Sequence, residues 1–120
     1  MNIIEFFIGL SNTVKLYHWK TGSYARHKAS DELFEFIIES SDKFVEVYLG
    51  KYGRSIIKSI DCKIEVLSDD EIVKYLEKSI VYLNDMVKSK QIKASDSDLL
   101  NIRDEIVAKI NQTLYLFTFK

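Results

Sequence analysis

Two histidines and three carboxylates, His18, His27, Asp31, Asp42 and Glu46, fall within the stretch YHWKTGSYARHKASDELFEFIIESSDKFVEVY. Imidazole and carboxylate are the side chains that hold first-row transition metals. A mixed set of them suits Fe(II), Mn(II) or Zn(II) better than magnesium or calcium. At about 100° per residue, with His27 at zero, Asp31 falls at about 40°, Asp42 at about 60° and Glu46 at about 100°. Glu35 joins them at about 80°, and the apolar arc of the same helix centres at about 280°. Ile38, Val45 and Leu49 bring apolar groups to the edge of this polar stripe. The stripe reads equally as the solvated face of an amphipathic helix.

His18 stands apart from that ambiguity. Ile3, Phe7, Leu10, Val14 and His18 descend one helix at spacings of threes and fours, so the imidazole ends an apolar seam. A polar ring there needs a partner, which a core hydrogen bond would supply as well as a metal. Trp19 beside it reads, from its position alone, as an aromatic closing the core at the helix end.

Four helices must position these groups. The first is expected from about Asn2 to Lys20, broken by Thr21-Gly22-Ser23, and the second from about Tyr24 to Leu49, stopped by Gly50. Leu33, Phe34, Ile37, Phe44, Val45 and Tyr48 carry the apolar period of the second. From Lys51 to Leu67 the residues fit a connection, a short strand or a small helix. A third helix opens on the capping box Ser68-Asp69-Asp70-Glu71 and carries Ile72, Leu76, Ile80, Leu83 and Val87 in one stripe. After a break from Ala94 to Asp98, Leu99, Ile102, Ile106, Ile110, Leu114 and Phe117 mark a fourth. The expectation is an all-α, antiparallel four-helix bundle, one domain over residues 1–120, with a longer crossover between helices 2 and 3.

Composition narrows the function. The chain has no proline and only four glycines, which leaves little punctuation for short strands. A net charge of −1 is poor material for a phosphate-binding surface, so no nucleic-acid partner is expected; Lys88, Lys90 and Lys93 read as a solvated turn. Cys62 is alone, which fits a reducing interior. MNIIEFFIGLSN carries Glu5 and no basic flank, so it reads neither as a signal peptide nor as a span. A cytoplasmic protein without membrane attachment is expected. The C-terminal Leu116, Phe117 and Phe119 are expected to dock onto the bundle.

The pair His18-Trp19, then His27-x3-Asp31-x10-Asp42-x3-Glu46, resembles the ferroxidase signature of the Dps (miniferritin) branch of the ferritin-like superfamily. The resemblance covers about residues 10 to 50. It implies a ferritin-like fold, an Fe(II)-oxidising site and a homo-oligomer of at least two chains. By that resemblance His18 and His27 come from one subunit and Asp31, Asp42 and Glu46 from its two-fold mate, with Trp19 close enough to take up oxidising equivalents. The turn between the histidines is shorter than the family's usual, and no basic N-terminal tail is evident, so DNA protection is not implied. The other ferritin-like pattern, Glu-x-x-His on two helices, is absent, since Lys15 and Tyr24 occupy the Glu positions. Two further readings use the same residues: a non-catalytic helical module that binds zinc, manganese or no metal, and a structural bundle in which His18 and Asp31 satisfy core polar groups.

Overall fold

Three of the four helices start where a short polar side chain accepts the backbone N–H three residues on: Asn2 from Glu5, Ser23 from Arg26 and Ser68 from Glu71. At Ser68 the cap is reciprocal, because the Glu71 carboxylate accepts the Ser68 N–H at 3.0 Å. That bond holds the Glu71 carboxyl below its ordinary range. The computed structural model describes residues 1–120 and contains α1 (Ile3–Lys20), α2 (Tyr24–Tyr52), α3 (Asp69–Asn84) and α4 (Ser97–Leu116), with no strand. No helix is long and apolar enough to cross a membrane.

The apolar periods read from the sequence do bury. Leu10 and Val14 of α1, Leu33, Ile37 and Phe44 of α2, Leu76 and Leu83 of α3, and Leu99, Ile106 and Ile110 of α4 share one core. Each such side chain removed from water contributes roughly 1.5–3 kcal/mol. α1 packs along α2 and α2 along α4, whereas α3 bears more lightly on α4 and least on α1.

The undecided stretch after α2 turns out to be an irregular connection beyond Tyr52. Asn2 Nδ2 donates to the Ile56 carbonyl at 3.5 Å, Cys62 lies against Gly9, and the Tyr17 hydroxyl donates to Asp69 Oδ1 at 2.6 Å. The connection therefore runs beside α1 from its start to its end. Residues 58–67 make no backbone–backbone hydrogen bond. Their partial alternation has no strand to pair with, because the chain contains none. α3 then brings Tyr82 back to Phe6, whose ring it stacks on at 3.9 Å. α4 starts beside the end of α2, where Lys51 Nζ meets Asp98 at 2.7 Å, and finishes with Phe117 against Tyr17 and Arg26.

Two boundaries and one docking contact differ from expectation. α2 continues through Gly50 to Tyr52, and Gly53 stops it, with the positive φ of 85° that glycine tolerates. Val87 lies beyond the end of α3, in the turns that follow Asn84. Phe117 docks as expected, yet Phe119 remains 52% exposed.

Candidate functional site

The turn Thr21-Gly22-Ser23 brings the last turn of α1 against the first of α2, and the two histidines lock the corner. His18 Nδ1 lies 2.7 Å from the His27 carbonyl and His27 Nδ1 lies 2.9 Å from the His18 carbonyl. The rings stack at 3.9 Å, 17° from parallel. A carbonyl oxygen only accepts, so each Nδ1 carries the donated proton and, in the neutral ring, each Nε2 keeps its lone pair. The buried Ser30 hydroxyl donates to the same His27 carbonyl at 3.1 Å and sits 3.3 Å from His18 Nδ1. His18 thus has the partner that its place in the apolar seam demands.

Asp31 joins this corner. Its Oδ1 is 3.9 Å from His18 Nε2 and 3.5 Å from Lys15 Nζ. The Lys15 ammonium also lies 4.7 Å from the centre of the Phe34 ring and 5.4 Å from that of Trp19. Lys15 is the group that reading the sequence for ligands missed. It stands where a Glu-x-x-His site would have its glutamate, and it already supplies a cation to Asp31. Ser30 was missed as well, and only its small size within a helical apolar arc could have signalled it.

Asp42 and Glu46 are exposed on the same side of α2 but remote from the corner. Asp42 follows Asp31 at about 16 Å along the helix axis. Beside Asp42, α1 and α2 form a shallow apolar groove from Ile4, Ile8, Ile38 and Val45, with Glu39 at its rim; Ile8 and Ile38 are partly solvent-exposed, at 39% and 47%. The outer α1–α2 face therefore has Lys15, paired with Asp31, and the two imidazoles at one end. Toward the other end Glu39 and Asp42 line the apolar groove, with Glu46 one turn beyond Asp42.

Within one chain, no three His, Cys, Asp or Glu side chains converge closely enough to hold a metal ion. The structure gathers His18, His27 and Asp31 and leaves Asp42 and Glu46 apart. Asp31, which the resemblance assigned to a partner chain, lies beside His18 of its own chain. Trp19 does not close the core: its indole is 67% exposed above Lys15. The donors nevertheless fit a metal as part of a ligand set. Both histidines are oriented through Nδ1 by backbone carbonyls, as metal-ligating histidines characteristically are. A carboxylate oxygen 3.9 Å from an Nε2 is also close enough for one ion to be shared with little side-chain movement.

Residues 18–117, from His18 to Phe117, match the family of unknown function DUF5856. The chain is also similar to an uncharacterized 14.6 kDa protein of the mobD–ri intergenic region of Enterobacteria phage T4. That relative is 30% identical over 118 residues, which span 95% of this chain and 87% of the relative. No solved structure matches the chain.

Proposed function

The chain belongs to the family of unknown function DUF5856, and from its own geometry we propose that it is a ferritin-like, Dps-like helical protein that binds iron between two copies of itself. In this reading His18 and His27 of one copy face Asp42 and Glu46 of the other, with Asp31 beside the histidines. The observation that carries it is the reciprocal Nδ1-to-carbonyl locking of two stacked imidazoles, which leaves both Nε2 lone pairs for a ligand. The outer α1–α2 face carries the imidazoles at one end and unpaired carboxylates toward the other, beside exposed apolar side chains. A two-fold copy laid antiparallel along that face would bring those carboxylates to the imidazoles, as isologous contacts do. The crossover between α2 and α3, which reverses the up-and-down order of an antiparallel bundle, is a further point of likeness to ferritin-like folds.

In such a site the chain's own groups divide the work. The imidazoles bind through Nε2 while the backbone carbonyls fix their tautomer, and the carboxylates neutralise the charge of the ion. When bound, iron supplies Lewis acidity and a one-electron couple; manganese and zinc fit the same donors. In this reading the exposed Trp19, which follows His18 in the chain, takes part in electron transfer.

One observation favours a second reading. Lys15 already neutralises Asp31 at 3.5 Å, an arrangement suited to a non-catalytic interaction module. Anaerobic Fe(II) titration of the metal-free protein, followed by peroxide or air with ferric absorbance recorded, separates the two. Saturable binding with rapid ferric product is the expected result. Binding without oxidation indicates a zinc or manganese module, and no binding removes the metal reading.

A further inference from the structure

Away from the histidine corner, α1 and α3 separate, and the connection from Cys62 to Leu67 roofs the gap. A pocket of about 340 Å³ opens there. Two matched stripes face each other across it: Phe6, Gly9 and Thr13 on α1, and Tyr75, Ser79 and Tyr82 on α3. Phe6 is 5% exposed and stacks on Tyr82, whose hydroxyl is tied down by Gln91 at 2.7 Å. That end of the pocket is therefore a fixed aromatic wall. Further along the pocket the Tyr75 hydroxyl lies beside Gly9, and burial pushes the phenol up from its usual range. It remains neutral and available as a hydrogen-bonding group.

Gly9 shows how the floor stays open. It stands in mid-helix, where glycine costs stability relative to alanine. A Cβ there would meet Cys62 Sγ at 3.4 Å and the Tyr75 hydroxyl at 3.9 Å, which is ordinary contact. Alanine would fit and would favour the helix. Glycine instead leaves a recess directly beside the Tyr75 hydroxyl.

The lining states what would fill it. Glu5 and Glu65 are balanced at the rim by Lys63 and Lys78, so the pocket selects no net charge. Its walls are aromatic and aliphatic, with a few hydroxyls, that of Tyr75 among them, the usual composition of a small-molecule site. An enclosed cavity of about 150 Å³ accepts one benzene ring, so this one has room for two fused rings. We propose that the α1–α3 pocket binds a neutral two-ring heteroaromatic of indole size. The ring lies among Phe6, Leu67, Tyr75 and Tyr82, and its single hydrogen-bonding group reaches the Tyr75 hydroxyl. Aromatic walls favour flat ligands through edge and offset-stacked contacts. The site is separate from the histidine corner and does not depend on a metal.

Calorimetric titration of the full chain with indole, and with naphthalene as the partner lacking an N–H, tests this. Saturable one-to-one binding of indole is expected. Tyr75→Phe should weaken indole by about fivefold, the equivalent of one hydrogen bond, and leave naphthalene unchanged. Gly9→Leu fills the recess with a good helix former and should abolish binding of both. Its far-ultraviolet circular dichroism and melting curve will show that the bundle is intact. Should Gly9→Leu unfold the chain, Gly9→Ala is expected to be folded and to bind more weakly. Indole should also slow alkylation of Cys62, which lies at the pocket wall. Absence of saturable indole binding overturns the proposal, and so does binding indifferent to Gly9→Leu in a folded protein.

Discussion

Alanine at both Asp42 and Glu46 is expected to weaken metal binding by a hundredfold or more, on the order of the largest losses that follow removal of groups supporting a metal site. Stability should stay within about 0.5 kcal/mol of the parent, as for ordinary surface substitutions. The separation of the two effects follows from geometry. Both carboxylates are exposed and take part in no hydrogen bond or ion pair within the chain, so the fold does not need them. His18 is a poorer first target, because it is nearly buried and bonded to the His27 carbonyl. Its removal would disturb the α1–α2 corner whether or not a metal binds. Glu35 lies on the same stripe of α2 and serves as the control, and Glu35→Ala should leave affinity unchanged. Equal metal affinity in the parent and the Asp42→Ala/Glu46→Ala protein, measured by anaerobic titration, would remove these residues from the site.

The second large effect lies at the end of the bundle opposite the histidine corner. Asp96 is 5% exposed and accepts from the Tyr52 hydroxyl, from the Lys93 N–H at 2.8 Å and from Lys51 Nζ at 3.0 Å. The Tyr52 hydrogen bond first, then the Lys93 N–H and Lys51, holds its carboxyl down to about 2. In the unfolded chain an aspartate titrates at about 3.9. A depressed folded-state value means that the stabilisation is complete above the unfolded pKa. It is lost as the pH falls through the folded one, a window from about pH 4 to about pH 2. Asp96→Asn should therefore lower the urea midpoint at neutral pH and flatten the fall in stability across that window. The asparagine cannot recover the charge-assisted bonds, and Lys51 keeps only Asp98. Parallel stability profiles for the two proteins would show that Asp96 does not hold α2 to the start of α4.

How much of this was legible in the sequence depended on how local each determinant is. Helix periods, the Ser68 capping box and the Thr21-Gly22-Ser23 break are decided within a few residues and were readable. The end of α2 was not. Gly50 looked like a stop, but Tyr52 reaches Asp96 across the bundle and carries the helix on to Gly53, where the backbone turns to positive φ. The latch around Asp96 joins residues more than forty positions apart and leaves no local pattern. At the candidate site, the five ligand-type residues could be seen, as could the need of His18 for a partner. The reciprocal carbonyl bonds, the seating of Asp31 on its own chain's His18, and the Lys15 ammonium over Trp19 and Phe34 are products of the corner between α1 and α2. No spacing rule contains them. From Lys51 to Leu67 a connection, a short strand and a small helix fitted the residues equally well, and beyond Tyr52 the structure is an irregular connection.

Subunit complementation tests the shared site most directly. Two proteins are co-expressed with different tags, His27→Ala and Asp42→Ala/Glu46→Ala, each expected to bind no metal alone. In a two-fold dimer, a mixed pair places the intact His27 of one chain opposite the intact carboxylates of the other. One of its two sites is restored, so a random mixture should regain about a quarter of the parent's metal capacity. That recovered binding, copurifying with both tags, is the predicted result. A mixture that binds no more metal than its two components apart would contradict a site built between two copies of this chain.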